Sequence, residues 1–137
     1  LAEYAPDAVI EIGSLRISFQ RTHHAAPCFA MRVTDGDAVL AYSADTGYIP
    51  EIAPHVRDAD LFICESTLVE PNPQLSQVHG HLTGDEAGAI AAEAAARRLV
   101  LTHLTPDAAG QEINLRNARR RFTGPVDLAQ TGSVYFV

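Results

Sequence analysis

The sequence predicts an α/β fold, in which antiparallel hairpins come first and β-α units follow. In the first half, apolar runs are paired around Gly13-Ser14 and around Asp35-Gly36-Asp37. In the second half, short apolar runs alternate with helical stretches, the pattern of β-α units. A chain of 137 residues is long enough to bury one hydrophobic core. We therefore expect residues 1–137 to form a single domain around a mixed β-sheet.

Two hairpins account for the first half. Residues 9–12 and 15–19 flank the first turn, and residues 15–19 alternate apolar and polar side chains as a half-buried strand does. Residues 28–33 and 38–42 flank the Asp-Gly pair, which is a strong signal for a tight hairpin turn. The first half is therefore predicted to be β-rich.

The second half is punctuated by one clear helix start. Thr83 and Glu86 have the spacing of a capping box, and the Ala-rich residues 87–98 that follow suit a helix lying close on a sheet. The other predicted helices are residues 49–56 and 112–122. The other predicted strands are residues 61–64, 99–102, 126–129 and 134–137.

Composition excludes some classes of function. The net charge of −7 argues against a broad nucleic-acid surface. No apolar run approaches the roughly 20 residues that span a bilayer, so no membrane insertion is expected. Cys28 and Cys64 lie inside apolar segments without metal-type or disulfide-type spacing, which favours a reduced, cytoplasmic setting. No secretory signal is visible, and the lack of an initiating Met is consistent with a start inside a longer parent.

Candidate metal ligands stand at the ends of predicted strands. His24, Asp45 and His103 are imidazole or carboxylate residues in such positions, and these are ligands that divalent ions take. A carboxylate can bridge two ions, and Asp45 is the candidate bridge. Each residue also has a simpler reading. Asp45 could cap a turn before Pro50, and His103 could pack against Pro106.

The order of these motifs resembles the metallo-β-lactamase fold hydrolases, and within them the ribonuclease Z-like phosphodiesterases, over about residues 24–106. Tyr42-Ser43-Ala44-Asp45-Thr46 is similar to the Y-S-G-D-T of that family, and Thr102-His103-Leu104-Thr105-Pro106 to its T-H-x-S-P. The resemblance implies that His24, Asp45 and His103 hold two divalent ions, with zinc the first choice and manganese the second. His24 is preferred to His23 because the family histidine lies six residues before a small residue, here Ala30.

Two further motifs imply an acid-base pair. Cys64-Glu65-Ser66-Thr67 resembles H-E-A-T, and Gly80-His81-Leu82-Thr83 resembles G-H-S-T. The resemblance implies that Glu65 and His81 pair, and that His81 acts at the scissile phosphate or the leaving oxygen. A carboxylate behind an imidazole fixes its tautomer and raises its basicity, so the chemistry is sound. Alternatively, Glu65 is a surface acid at a strand end and His81 a residue before a helix.

The sequence also departs from the family. The signature H-x-H-x-D-H is absent, so the implied fold is the C-terminal half of an αββα sandwich, a mixed β-sheet with helices on one face. Two ligands per ion remain, whereas catalytic zinc has three protein ligands. We therefore expect the chain alone to be inactive, and its apolar sheet face to meet an N-terminal half of the same fold or a second copy.

The expected substrate is a small phosphodiester or nucleotide, cleaved by a metal-held hydroxide. Only 20 positions, residues 25–44, lie between His24 and Asp45, which leaves no room for the arm of the transfer-RNA-processing members. Transfer RNA is therefore not expected. Two alternatives stay open: an ester or lactone hydrolase of the same fold, and a non-catalytic half-domain that assembles with a partner.

Three smaller expectations complete the picture. The cluster Arg116, Arg119, Arg120 and Arg121 is either a solvated helix face or a phosphate or partner contact. His55 and His79 match no motif and are expected at the surface. Ala44 stands where the family has Gly, and this change matters only if the backbone there has a positive φ.

Overall fold

A computed structural model describes residue 5 and residues 8–137 of the chain. In this part, seven strands form one sheet in the order β1-β2-β3-β4-β5-β6-β7. The pairs from β1 to β4 are antiparallel and those from β4 to β7 are parallel, so the predicted mixed α/β sheet is confirmed. The strands are β1 Val9–Ile12, β2 Leu15–Arg21, β3 Phe29–Asp35, β4 Ala38–Tyr42, β5 Leu61–Glu65, β6 Leu99–Thr102 and β7 Val126–Leu128. The helices are α1 Ile52–His55, α2 Gly84–Glu93 and α3 Ala108–Arg121, with a π-helical turn at Leu75–His79.

Both predicted hairpins are present. β1 pairs with β2 across the turn at Gly13, whose φ is +60°, and β3 pairs with β4 across the turn at Gly36, whose φ is +57°. Glycine adopts this left-handed backbone without the steric cost that a Cβ atom brings. The β3 strand begins one residue later than predicted, at Phe29, and ends later, at Asp35.

The three helices cover one face of the sheet. Buried apolar residues of that face form one core with buried residues of α1, α2 and α3. Glycines in α2 allow α3 to approach closely, because a Cβ on Gly84 would lie 2.3 Å from the Asn114 carbonyl oxygen and one on Gly88 would lie 2.5 Å from that of Ala118. The predicted arrangement of helices on one face is therefore confirmed for the described residues.

The opposite face of the sheet is apolar as well. Cross-strand register places Phe19, Met31, Tyr42, Ile63 and Val100 in one row on that face. All except Val100 are only partly buried. No helix of the described residues belongs to this side of the sheet, so the row is an incompletely covered hydrophobic surface.

The α2 helix begins as predicted and ends early. Both bonds of the capping box between Thr83 and Glu86 are formed. The helix stops at Glu93 instead of residue 98, because Ala95 takes a φ of +52° and the amides of Ala95 and Ala96 turn back to the carbonyls of Ala92 and Ala91. This is the Schellman arrangement, which usually has Gly at the residue occupied here by Ala95. The predicted end was wrong because the sequence carries no glycine there.

Other helix boundaries also differ from the prediction. The α3 helix starts at Ala108 instead of residue 112, because the Asp107 side chain caps it by accepting a hydrogen bond from the Gly110 amide at 2.8 Å. The α1 helix is limited to Ile52–His55 instead of residues 49–56. A proline inside so short a helix removes a hydrogen-bond donor, which agrees with its length.

The predicted strand at residues 134–137 was wrong. These residues favour strands by type, but a strand needs a paired neighbour. The last ladder bond of the edge runs from the Ala129 amide to the Leu101 carbonyl, and the chain then turns at Gly132, whose φ is +85°. Beyond that turn, Tyr135 lies under the Arg98 guanidinium, and the distance from its ring centroid to Cζ of Arg98 is 5.3 Å. A cation–π contact replaces strand pairing here.

Several side-chain expectations can be compared with the structure. Cys28 and Cys64 are both free thiols. The four clustered arginines are exposed, which favours the solvated helix face. His55 is partly buried rather than at the surface, and its Nε2 atom is buried without a hydrogen-bond partner. No helix in the described residues has the length and hydrophobicity needed to cross a membrane.

Candidate metal centre

The predicted site residues meet at one edge of the sheet. The strands β2, β4, β5 and β6 run in the same direction, so their carboxyl ends lie together, where α/β sheets commonly carry their sites. His24 and Asp45 follow β2 and β4, Glu65 is the last residue of β5, and His103 follows β6. His81 reaches the same edge from the loop that precedes α2.

Glu65 is the most buried acid of this edge, with no exposed surface. Its Oε1 atom accepts from the Thr46 amide at 2.8 Å and lies 3.0 Å from Nδ1 of His81. Its Oε2 atom accepts from the hydroxyl of Thr67 at 2.9 Å, the Thr67 amide at 3.3 Å and the Leu82 amide at 3.2 Å. A buried carboxylate is costly unless it is hydrogen-bonded, and here both oxygens are. The reading of Glu65 as a surface acid is therefore wrong.

Asp45 lies between two imidazoles. Its Oδ2 is 3.9 Å from Nε2 of His24, and its Oδ1 is 3.3 Å from Nδ1 of His103. The Asp45 and His103 side chains are 31% and 48% exposed, which leaves this part of the site open to solvent. Each carboxylate oxygen thus faces a different histidine.

His81 lies between the other two histidine rings. Its ring centroid is 5.3 Å from that of His24 and 5.4 Å from that of His103. Ligand atoms of Glu65, His81 and His103 also lie within 4.8 Å of one another, so this trio is a rival metal group to the predicted one. Both Glu65 oxygens of this trio are already engaged by protein donors.

The donor set fits a divalent cation. Imidazole nitrogens and carboxylate oxygens are the ligands of zinc-type ions, and three imidazoles and two carboxylates converge here. The Glu65 carboxylate behind His81 also matches the outer-shell partners that orient histidines at metal sites.

The loop that carries His24 is held on both sides. The Thr22 hydroxyl donates to the Asp45 carbonyl at 2.8 Å, and the Gly47 amide donates to the His23 carbonyl at 2.8 Å. Nδ1 of His24 lies 3.5 Å from Sγ of Cys28. Burial raises the pKa of Cys28, and the negative charge of Asp45 adds to the effect, so the thiol stays protonated at neutral pH. His23 is exposed, and its ring lies beside Gly47.

Two residues of the site have left-handed backbone. Ala44 has a φ of +51° and His103 a φ of +50°. Residues with a Cβ atom adopt this conformation at a cost of roughly 1 kcal/mol or more. The replacement of Gly by Ala at position 44 therefore falls where the backbone does need a positive φ.

Hydroxyl residues of the site were missed by the sequence reasoning. The Ser43 hydroxyl accepts from the Glu65 amide at 2.9 Å, and the hydroxyl of Thr67 contacts both Glu65 and His103. Both residues lie inside the quoted motifs, but neither motif shows what their side chains contact. Cys64, where the related motif has His, is fully buried in the core. It therefore contributes to packing instead of the site.

Comparison with known proteins identifies the family. Residues 1–104 match the Beta-lactamase superfamily domain. The chain belongs to the beta-lactamase superfamily. The predicted resemblance to metallo-β-lactamase fold proteins is thereby confirmed.

One relative is YhfI of Bacillus subtilis. The two sequences are 40% identical over 133 residues, which make up 96% of this chain and 53% of YhfI. The crystal structure of YhfI, described as a metallo-β-lactamase fold protein, superposes with a TM-score of 0.88 at 36% identity, over 96% of this chain and 54% of YhfI. The chain thus spans about half the length of this relative.

Part of this chain is also similar to ribonuclease Z. The enzyme of Myxococcus xanthus is 39% identical over 95 residues, which are 68% of this chain and 31% of that protein. The human short-form tRNase Z superposes with a TM-score of 0.65 at 26% identity, over 88% of this chain and 41% of that one.

Proposed function

We propose that the chain is the part of a metal-dependent hydrolase that carries His24, Asp45 and His103 as ligands of two divalent ions. Zinc is the first choice of ion and manganese the second. Such ions would supply Lewis-acid polarisation of a phosphoryl oxygen and activation of water. The position of Asp45 between two imidazoles supports this assignment, because each of its oxygens faces one of them.

The proposed reaction is hydrolysis of a small phosphodiester or nucleotide. The observation that carries it is the contact of fully buried Glu65 with Nδ1 of His81. A carboxylate at Nδ1 holds the ring in one orientation and one tautomer, which leaves Nε2 as the atom that would pass a proton to the departing alcohol oxygen. His81 keeps 17% of its side chain exposed, so a substrate could reach it. An ester or lactone hydrolase of this fold would give that pair no role.

The ligands within the chain leave each ion short of the usual three. We expect the remaining ligands to come from another segment or polypeptide that covers the apolar face of the sheet. The row that includes Met31, Tyr42 and Ile63 is the surface for that contact, with an N-terminal half of the fold or a second copy as occupant. The chain alone is then expected to hydrolyse little.

The test uses a protein in which residues 1–137 are joined to, or assembled with, the segment or polypeptide that supplies the missing metal ligands. We expect it to hydrolyse bis(4-nitrophenyl) phosphate, and Asp45→Ala to abolish both metal loading and turnover. His81→Ala should slow the phosphodiester reaction more than hydrolysis of a lactone. Unchanged turnover in Asp45→Ala would refute the metal assignment, and faster turnover of the lactone with no loss in His81→Ala would favour the lactone alternative. Absence of turnover in the combined, metal-loaded protein would favour a non-catalytic assembly module.

A further inference from the structure

Thr67 connects two parts of the candidate centre that are far apart in sequence. Its hydroxyl lies 2.9 Å from Oε2 of Glu65, 2.9 Å from Nδ1 of His103 and 2.9 Å from the His103 carbonyl oxygen. Glu65 ends β5, whereas His103 follows β6. The hydroxyl therefore joins the buried carboxylate to an exposed histidine of the neighbouring strand.

The hydrogen-bonding capacities of these groups restrict how the bonds can form. A hydroxyl has one hydrogen and two lone pairs, while the Glu65 carboxylate and the His103 carbonyl can only accept. When the hydroxyl hydrogen goes to either of them, a lone pair faces Nδ1 of His103. Asp45 Oδ1, 3.3 Å from the same nitrogen, is also an acceptor. The pattern is satisfied when Nδ1 carries the hydrogen, which leaves the lone pair of the neutral ring on Nε2.

His103 needs such a restraint more than the other two histidines do. Its side chain is 48% exposed, against 16% for His24 and 17% for His81. An exposed side chain loses conformational entropy when it is fixed, and a ligand that is already oriented loses less on binding. A bond to a residue held by a fully buried carboxylate supplies that orientation.

We propose that Thr67 is a positioning residue. Glu65 fixes the Thr67 hydroxyl, and this hydroxyl holds the His103 imidazole in the orientation that a metal ion needs. This inference rests on the proposed function, because it takes His103 as a ligand. Outer-shell partners of ligating histidines commonly contribute about 10- to 100-fold to metal affinity. Thr67 is expected to contribute in this range.

The test compares Thr67→Val, which keeps the shape and loses the hydroxyl, with Thr67→Ser, which keeps the hydroxyl. Zinc affinity of the 137-residue chain is measured by competition with a chromogenic chelator. We expect Thr67→Val to weaken binding about tenfold or more and Thr67→Ser to stay close to the unchanged chain. Thr34→Val, which removes a hydroxyl on β3 far from the centre in the sheet, is the matched control and should have no effect on affinity.

A second readout does not depend on zinc binding, and it serves if the chain binds zinc too weakly for the affinity to be measured. Crystal structures without metal should show the His103 ring moved away from Asp45 in Thr67→Val and unmoved in Thr67→Ser. An unmoved ring together with unchanged affinity in Thr67→Val would overturn the inference, as would a serine variant that behaves like valine. His103→Ala separates the two proposals. If His103→Ala keeps the zinc affinity, the assignment of His103 as a ligand fails. If His103→Ala lowers the affinity and Thr67→Val does not, only the role of Thr67 fails.

Discussion

Gly80 packs directly on the backbone of His23, so closely that a Cβ atom on residue 80 would lie 1.8 Å from the His23 carbonyl oxygen. Gly80 also has a φ of +75°, in the left-handed region. It stands next to His81, and His23 stands next to His24. This contact therefore fixes the distance between the loops that carry two of the three histidines.

Gly80→Ala should destabilise the protein by about 3 kcal/mol, because backbone overlap is added to left-handed strain. Gly13→Ala is the matched control. Gly13 also has a positive φ, but nothing lies within 4 Å of its added Cβ, so only about 1 kcal/mol should be lost. Urea unfolding measures both. Equal losses would show that the contact with His23 does not restrict residue 80.

Ala95→Gly should stabilise the protein by roughly 0.5 to 1 kcal/mol, because glycine removes the strain of the positive φ that ends α2. Ala92→Gly, at an exposed position inside the same helix, should instead cost about 1 kcal/mol. The two substitutions are chemically identical, so opposite signs in urea unfolding would isolate the backbone conformation. A destabilising Ala95→Gly would contradict the assignment.

Glu65→Ala should cost about 3 kcal/mol of unfolding free energy, because the Thr46 and Leu82 amides lose a buried acceptor. Glu70→Ala, at an exposed position shortly after β5, should change stability by less than about 0.5 kcal/mol. Thermal and urea unfolding of both variants check this. Similar small effects would mean that Glu65 does not organise the loops.

Stability should fall on acidification partly through His55. Burial, and then the nearby Arg32 guanidinium, lower the pKa of His55 from its usual 6.5. The unfolded chain then takes up the proton more readily than the folded one, so the free energy of unfolding decreases as the pH falls through 6.5.

His55→Gln removes this titration. Its free energy of unfolding should fall less between pH 8 and pH 5 than that of the unchanged chain, as measured by urea unfolding at each pH. Because the two proteins differ only at residue 55, the difference reports on His55. A steeper fall in the variant would contradict the direction of the pKa shift.

Much of the fold follows from local patterns in the sequence. The Asp-Gly turn, the alternation along β2 and the capping box of Thr83 each act within a few residues, and each forms as expected. The convergence of Asp45 and His103 was also predictable, because the carboxyl ends of parallel strands in one sheet lie at the same edge.

The sequence by itself determined most of the strands, the hairpins and the start of the main helix, because these depend on local periodicity and turn chemistry. Tertiary contacts alone decided whether residues 134–137 pair and how deeply Glu65 is buried. The bond from Thr67 to His103 spans 36 positions, and it exists only because β5 and β6 pair side by side. Interactions between residues so far apart leave no local pattern, since they arise from packing.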